Sequence, residues 1–134
     1  MEKITATNRE FLNLYKGLEA VKSMQGARFA VLVGKNMKEL RVLLNPLEIS
    51  AIPTPEFQKL SLDIQKLIEA EDKDAIEAME KENEELIEER KKQLAEVESK
   101  LDSEAEIYLH VIKEDQLPED ITGEQVERLL QIIS

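Results

Sequence analysis

Carboxylates are the most abundant groups able to do chemistry in this chain. Glu80, Glu84 and Glu88 recur at i,i+4 spacing and would share one helix face, with Glu82, Glu85 and Glu89 on another. Rows of this kind can assemble a magnesium or calcium site and, with it, metal-dependent hydrolysis of a nucleotide or phosphoester. Di-metal carboxylate bundles add His in a Glu-x-x-His pattern, which this sequence lacks. Glu82-Asn83-Glu84-Glu85 has the Glu-x-x-Glu spacing of an all-helical pyrophosphohydrolase, but its neighbours are charged, so Glu80, Glu84 and Glu88 are expected to form a solvated interaction arm. No metal ligand or cofactor is assigned.

His110 is the one imidazole. Its unperturbed pKa near 6.5 suits a general base, but neither an orienting carboxylate nor a serine elbow accompanies it, and the outer face of a strand is its expected place. Gly34-Lys35-Asn36 lacks the Gly-rich turn and the Ser/Thr of a phosphate loop. No catalytic residue is assigned. The basic residues Arg28, Lys35, Lys38 and Arg41 fall close to one helical face and are the candidate site for an anionic nucleotide-type ligand, a carboxylate-bearing arm or a partner protein.

The elements that must carry these groups are mainly helical. Thr7-Asn8-Arg9-Glu10 has capping-box spacing, and Phe11, Leu14, Tyr15, Leu18 and Val21 follow as one apolar stripe that Gly26 should stop. Residues 28–33 suit either a strand or a helix, and the period continued by Met37, Leu40 and Leu44 favours helix over most of 28–45. Pro46, Pro53 and Pro55 bracket 47–51 as a connector with at most one turn. Thr54-Pro55 opens a helix with Phe57, Leu60, Ile64, Leu67 and Ile68 on one side.

That stripe fails at Glu71–Asp74 and resumes in another phase, which predicts a bent helix or two helices meeting near 73. Glu106–Ile112 alternates as a strand whose partner is either 28–33 or a second copy of itself. Thr122-Gly123-Glu124-Gln125 offers a second capping box before a short C-terminal helix. The expected fold is thus mainly α: an N-terminal helical hairpin, a long charged helix or helical arm, one short β-strand near 106–112 and a C-terminal helix. A single domain over 1–134 is expected, its core drawn from 7–68 and 94–134, with a charged helical arm projecting at about 69–93.

Composition narrows the function classes. The 134 residues are 42% hydrophobic but only 4% aromatic, so aliphatic side chains must supply the core. The absence of Cys removes disulfides, thiolate metal sites and cysteine nucleophiles. Residues 1–52 carry eight Lys/Arg against five Asp/Glu, whereas the remainder carries ten against 24. A net charge of −11 disfavours nucleic acid over most of the surface, and the two unlike regions should attract each other within or between chains. The sequence has no membrane-length apolar run and no signal-like start, so a cytoplasmic location is expected.

Several stretches together resemble a group of small proteins encoded by tailed bacteriophages. They are Asn13-Leu14-Tyr15-Lys16, then Ala30-x-x-x-Gly34-Lys35-Asn36-Met37-x-x-Leu40, then Glu104-Ala105-Glu106-Ile107-Tyr108-Leu109-His110-x-Ile112 with Leu117-Pro118 and Ile121-Thr122-x-x-Gln125. The resemblance implies a phage or prophage origin and action inside a bacterial host, with host enzymes or defence systems as candidate partners. It brings no activity and no functional residues. The expected function is a non-catalytic interaction protein, at least dimeric because a lone strand and a discontinuous apolar stripe need cover. The alternatives are an oligomeric sponge for an anionic ligand, a metal-dependent hydrolase, and mimicry of DNA by the acidic helix.

Overall fold

A computed structural model describes all 134 residues. The chain is mainly helical, with one two-stranded antiparallel sheet and a short C-terminal helix. The elements run β1 (Glu2–Thr7), α1 (Asn8–Val21), α2 (Ala27–Ser50), α3 (Pro55–Glu69), α4 (Lys73–Glu82), α5 (Glu84–Leu101), β2 (Glu104–Leu109) and α6 (Gly123–Arg128), with 3₁₀ turns at Glu114–Gln116 and Leu130–Ile132. They group into two compact units, one of Met1–Leu47 with Lys100–Ser134 and one of Glu48–Ser99.

The first unit holds the core. Phe11, Leu14, Leu18 and Val21 of α1 and Phe29, Val33, Met37 and Leu40 of α2 form the apolar stripes of the helical hairpin, and they pack with Ala6, Leu109, Ile112, Leu129 and Ile132. Thr7 caps α1, its hydroxyl accepting from the Glu10 N–H at 3.1 Å. The first helix stops at Val21, before Gly26. With φ of 123°, in the left-handed region open to glycine, Gly26 instead begins α2, whose first bond runs from Ala30 N–H to its carbonyl.

The strand partner of β2 is neither 28–33, which is helical, nor a second copy. It is β1, paired from Glu2↔Leu109 to Thr7↔Glu104. Ile4, Ala6, Ala105, Ile107 and Leu109 face the helices, while Lys3, Thr5, Glu104, Glu106 and Tyr108 face outward. α1 and α6 cross at Gly17, where an added Cβ would lie 2.9 Å from Arg128 Cβ. The chain end returns beside Ile112 as an isolated parallel bridge to Ile133.

No connector of at most one turn forms at 47–51: α2 continues through Pro46 to Ser50. Proline removes one helical N–H. The orphan carbonyls at the C-terminal end of α2 and just beyond it find donors, since Gln93 Nε2 donates to Ser50 and Ile52 carbonyls at 2.9 and 2.8 Å, and Arg90 Nη1 to that of Ala51 at 2.9 Å. Thr54 then caps α3 with Pro55 behind it.

Two helices do meet near 73. Asp72 N–H donates to Leu67 and Glu71 N–H to Ile68, the paired bonds of a Schellman ending, with Glu71 at φ 58°. The carboxylate of Asp72 then starts α4 by accepting from Ala75 N–H at 3.1 Å. Leu60 is the one buried apolar side chain of the second unit.

Candidate functional site

Arg28, Lys35, Lys38 and Arg41 are all exposed on α2. At 100° and 1.5 Å per residue they span about 140° of arc and roughly 20 Å along the axis, so they form a row on a convex surface. Three of them make no ion pair. Arg41 is engaged: its Nε donates to Tyr15 Oη at 3.0 Å and the guanidinium lies 6.0 Å from the ring centre. That hydrogen bond, more than the nearby charges, raises the guanidinium further above its usual range, so the positive charge of Arg41 persists at every working pH.

The acidic row is broken. Glu80 lies in α4 and Glu84 and Glu88 in α5, and Asn83 between them leaves the helical conformation at φ −113° and ψ 27°. The i,i+4 continuity expected from the sequence therefore ends at Asn83, whose Nδ2 donates to Met79 carbonyl at 2.8 Å and closes α4. The sequence alone gave little sign of it, because Glu82, Asn83 and Glu84 are all tolerated in helices. Glu88 pairs with Lys91 at 3.3 Å on the exposed surface. Lys81, Glu82, Asn83, Glu84, Glu85, Leu86 and Glu89 surround an open depression of about 500 Å³. No group of three or more His, Asp or Glu side chains converges as metal ligands would.

The polar residue most tightly built into the fold has no assigned role in the sequence pattern. Asn36, which follows Gly34-Lys35, is completely buried. Its Nδ2 donates to His110 carbonyl at 2.8 Å and its Oδ1 accepts from His110 N–H at 2.7 Å. The available signal was its position among Val33, Met37 and Leu40, a polar residue on an otherwise apolar face. His110 itself is half-buried and is tied by its backbone.

A second polar cluster sits in the Glu48–Ser99 unit. Arg90 lies 5.7 Å from the Phe57 ring centre and also donates to Gln93 Oε1 at 2.8 Å. With Thr54, Leu86 and Glu89 these residues line a recess of about 120 Å³, small for any ligand. Both long side chains are spent on backbone carbonyls of 50–52, so they position a turn. No helix is long and apolar enough to cross a membrane. No protein-family model, curated protein or solved structure matches the chain.

Proposed function

We propose that this chain is a non-catalytic interaction protein whose helical unit 48–99 is completed by a partner surface, first of all that of a second copy. One observation carries the reading. Across 48–99 Leu60 is the one buried apolar side chain, while Phe57, Ile64, Leu67, Ile76, Met79, Leu86, Ile87 and Val97 stay half-exposed and Ile52, Leu62, Ile68 and Leu94 are exposed. A helical unit of this size gains its stability by burying such stripes, and about 1.5 to 3 kcal/mol is available for each large aliphatic side chain so covered. The half-filled seam is the surface that association would complete.

The resemblance to small proteins of tailed phages supplies the setting: a bacterial cell, with a host or phage protein as a further partner. Nucleotide sequestration by Arg28, Lys35, Lys38 and Arg41 is the weaker alternative, because the row is convex and Arg41 is already bonded to Tyr15. Sedimentation equilibrium at micromolar concentration tests the leading reading, with an expected mass at least twice 15.4 kDa. A particle of monomer mass that also retains nothing from a bacterial lysate would refute it.

A further inference from the structure

Both strands of the two-stranded sheet are edge strands, and part of the β2 edge has no hydrogen-bond partner. Asn8 N–H donates to Ser103 carbonyl at 3.0 Å and extends the β1–β2 register by one pair. In an antiparallel ladder bonded pairs alternate, so Ala6–Ala105, Ile4–Ile107 and Glu2–Leu109 are the bonded ones. The backbone N–H and C=O groups of Glu104, Glu106 and Tyr108 therefore point away from β1.

The same edge is filled further along. At His110 the Asn36 amide takes both backbone groups. At Ile112 the chain end does so, with Ile112 N–H on Ile132 carbonyl at 2.6 Å and Ser134 N–H on Ile112 carbonyl at 3.0 Å. Partners run along the edge as far as His110 and stop there. Glu104 and Glu106 are exposed and Tyr108 is 58% exposed.

We propose that the β2 edge at Glu104, Glu106 and Tyr108 takes an extended basic segment of another protein by strand addition. The inference rests on the reading as an interaction protein but uses a surface separate from the helical seam. Backbone groups would supply the ladder, and alternate side chains of the added strand would supply selectivity. Lys or Arg belongs opposite Glu104 and Glu106 on the outer face, with an apolar residue beside Tyr108. Lys3 already holds the Glu106 carboxylate on that face at 3.1 Å, and Glu104 has no ion pair.

A second copy is the poorer occupant here. Antiparallel self-pairing centred on the open stretch sets Glu106 against its own counterpart, and like charges directly opposite are unfavourable. The net charge of −11 repels another copy and attracts a basic segment at long range.

The test uses the full chain and a short peptide with two lysines and a leucine at successive alternate positions and valine between them, followed by NMR and amide hydrogen exchange at low salt. The expected result is saturable binding, with slowed exchange at the amides of Glu106 and Tyr108. The double variant E104K/E106K, shown by its unfolding midpoint to be folded, should bind about tenfold more weakly. Three results overturn the proposal: no binding, binding that perturbs only α4 and α5, or protection of Glu106 and Tyr108 that rises with protein concentration in the absence of peptide. The sedimentation mass reports on the helical seam whichever of these occurs, so the two readings fail separately.

Discussion

The side-chain amide of Asn36 on α2 and the backbone of His110 just beyond β2 are joined by two reciprocal hydrogen bonds, 2.8 and 2.7 Å long. This is the pattern one strand offers another, supplied here by a single side chain in a fully buried position. The helix thereby occupies the β2 edge that faces away from β1, just beyond the end of the strand, and fixes how the following chain enters the core through Ile112. Truncating such a group leaves a donor and an acceptor unsatisfied, at about 1 to 3 kcal/mol for each that water does not reach. Asn36→Ala should therefore lower the unfolding free energy by about 3 kcal/mol, the cavity adding to the lost bonds. A urea midpoint within error of the parent would show that water replaces the amide without cost.

Asn36→Asp makes the same relationship depend on pH. An ionised Asp can accept from His110 N–H but cannot donate to its carbonyl, and burial disfavours the charge. The folded-state pKa of that carboxyl should lie above the unfolded value of about 3.9. Its penalty relative to the parent is then present above the raised folded pKa and disappears as pH falls through it towards the unfolded value, where the protonated acid can donate. Urea titrations of both proteins at several pH values measure this. A gap that widens on acidification would contradict the assigned hydrogen bonds.

Two glycines in helices should respond in opposite directions to the same change. At Gly17 a new Cβ would stand 2.9 Å from Arg128 Cβ and 3.4 Å from Leu129 Cδ2, so α1 and α6 must separate. Gly17→Ala should lose about 1 to 2 kcal/mol, overpacking outweighing the gain in helix propensity. At Gly34, on the exposed side of α2, an added Cβ meets nothing within 4 Å, and Gly34→Ala should gain about 0.5 to 1 kcal/mol. Thermal unfolding of the two variants decides, and equal shifts would mean that the α1–α6 crossing is looser than the geometry requires.

The ending of α3 stores a local strain that can be released. Glu71 adopts φ 58° at the position of a Schellman motif that glycine normally takes. The left-handed conformation costs an L-residue about 1 to 2 kcal/mol, part of which glycine gives back through its freer unfolded state. Glu71→Gly should stabilise the unit 48–99 by about 0.5 to 1 kcal/mol, and Glu71→Val should destabilise it by a similar or larger amount. Amide exchange of α3 and α4 reads this locally. Faster exchange in the glycine variant would count against the strain.

What could be read from the sequence was whatever local chemistry dictates. The Thr54-Pro55 and Thr122–Gln125 signals specify helix starts by side-chain to backbone bonds within four residues, and both formed. β2 was visible because Ile107, Leu109 and their neighbours alternate strongly, although its span is 104–109. β1 was not, because only Ile4 and Ala6 of Glu2–Thr7 face the core and the strand exists through its register with β2. α2 runs on through Pro46 to Ser50, and the carbonyls at 50–52 are met by Arg90 and Gln93, about forty residues away, which no local pattern reports. The basic row was correctly placed on α2, yet its convexity and the Tyr15–Arg41 bond are tertiary facts. Asn36 escaped for the same reason, since its partner lies at position 110.

The helical seam makes the last prediction. Leu62 and Leu94 are 64% and 44% exposed, so replacing them leaves the packing within the unit nearly untouched. If association covers them, Leu62→Lys and Leu94→Lys each remove about 1.5 to 3 kcal/mol of burial and bring a desolvated charge to the contact. Each substitution should then weaken self-association at least about tenfold while the helical circular dichroism stays that of the parent. The lysines also reduce the negative charge of the copies, which on its own would favour association through weaker repulsion. Loss of association in both variants thus points to buried apolar surface and away from electrostatics. Unchanged sedimentation at every concentration would place the interface elsewhere and leave these leucines as ordinary solvent-facing side chains.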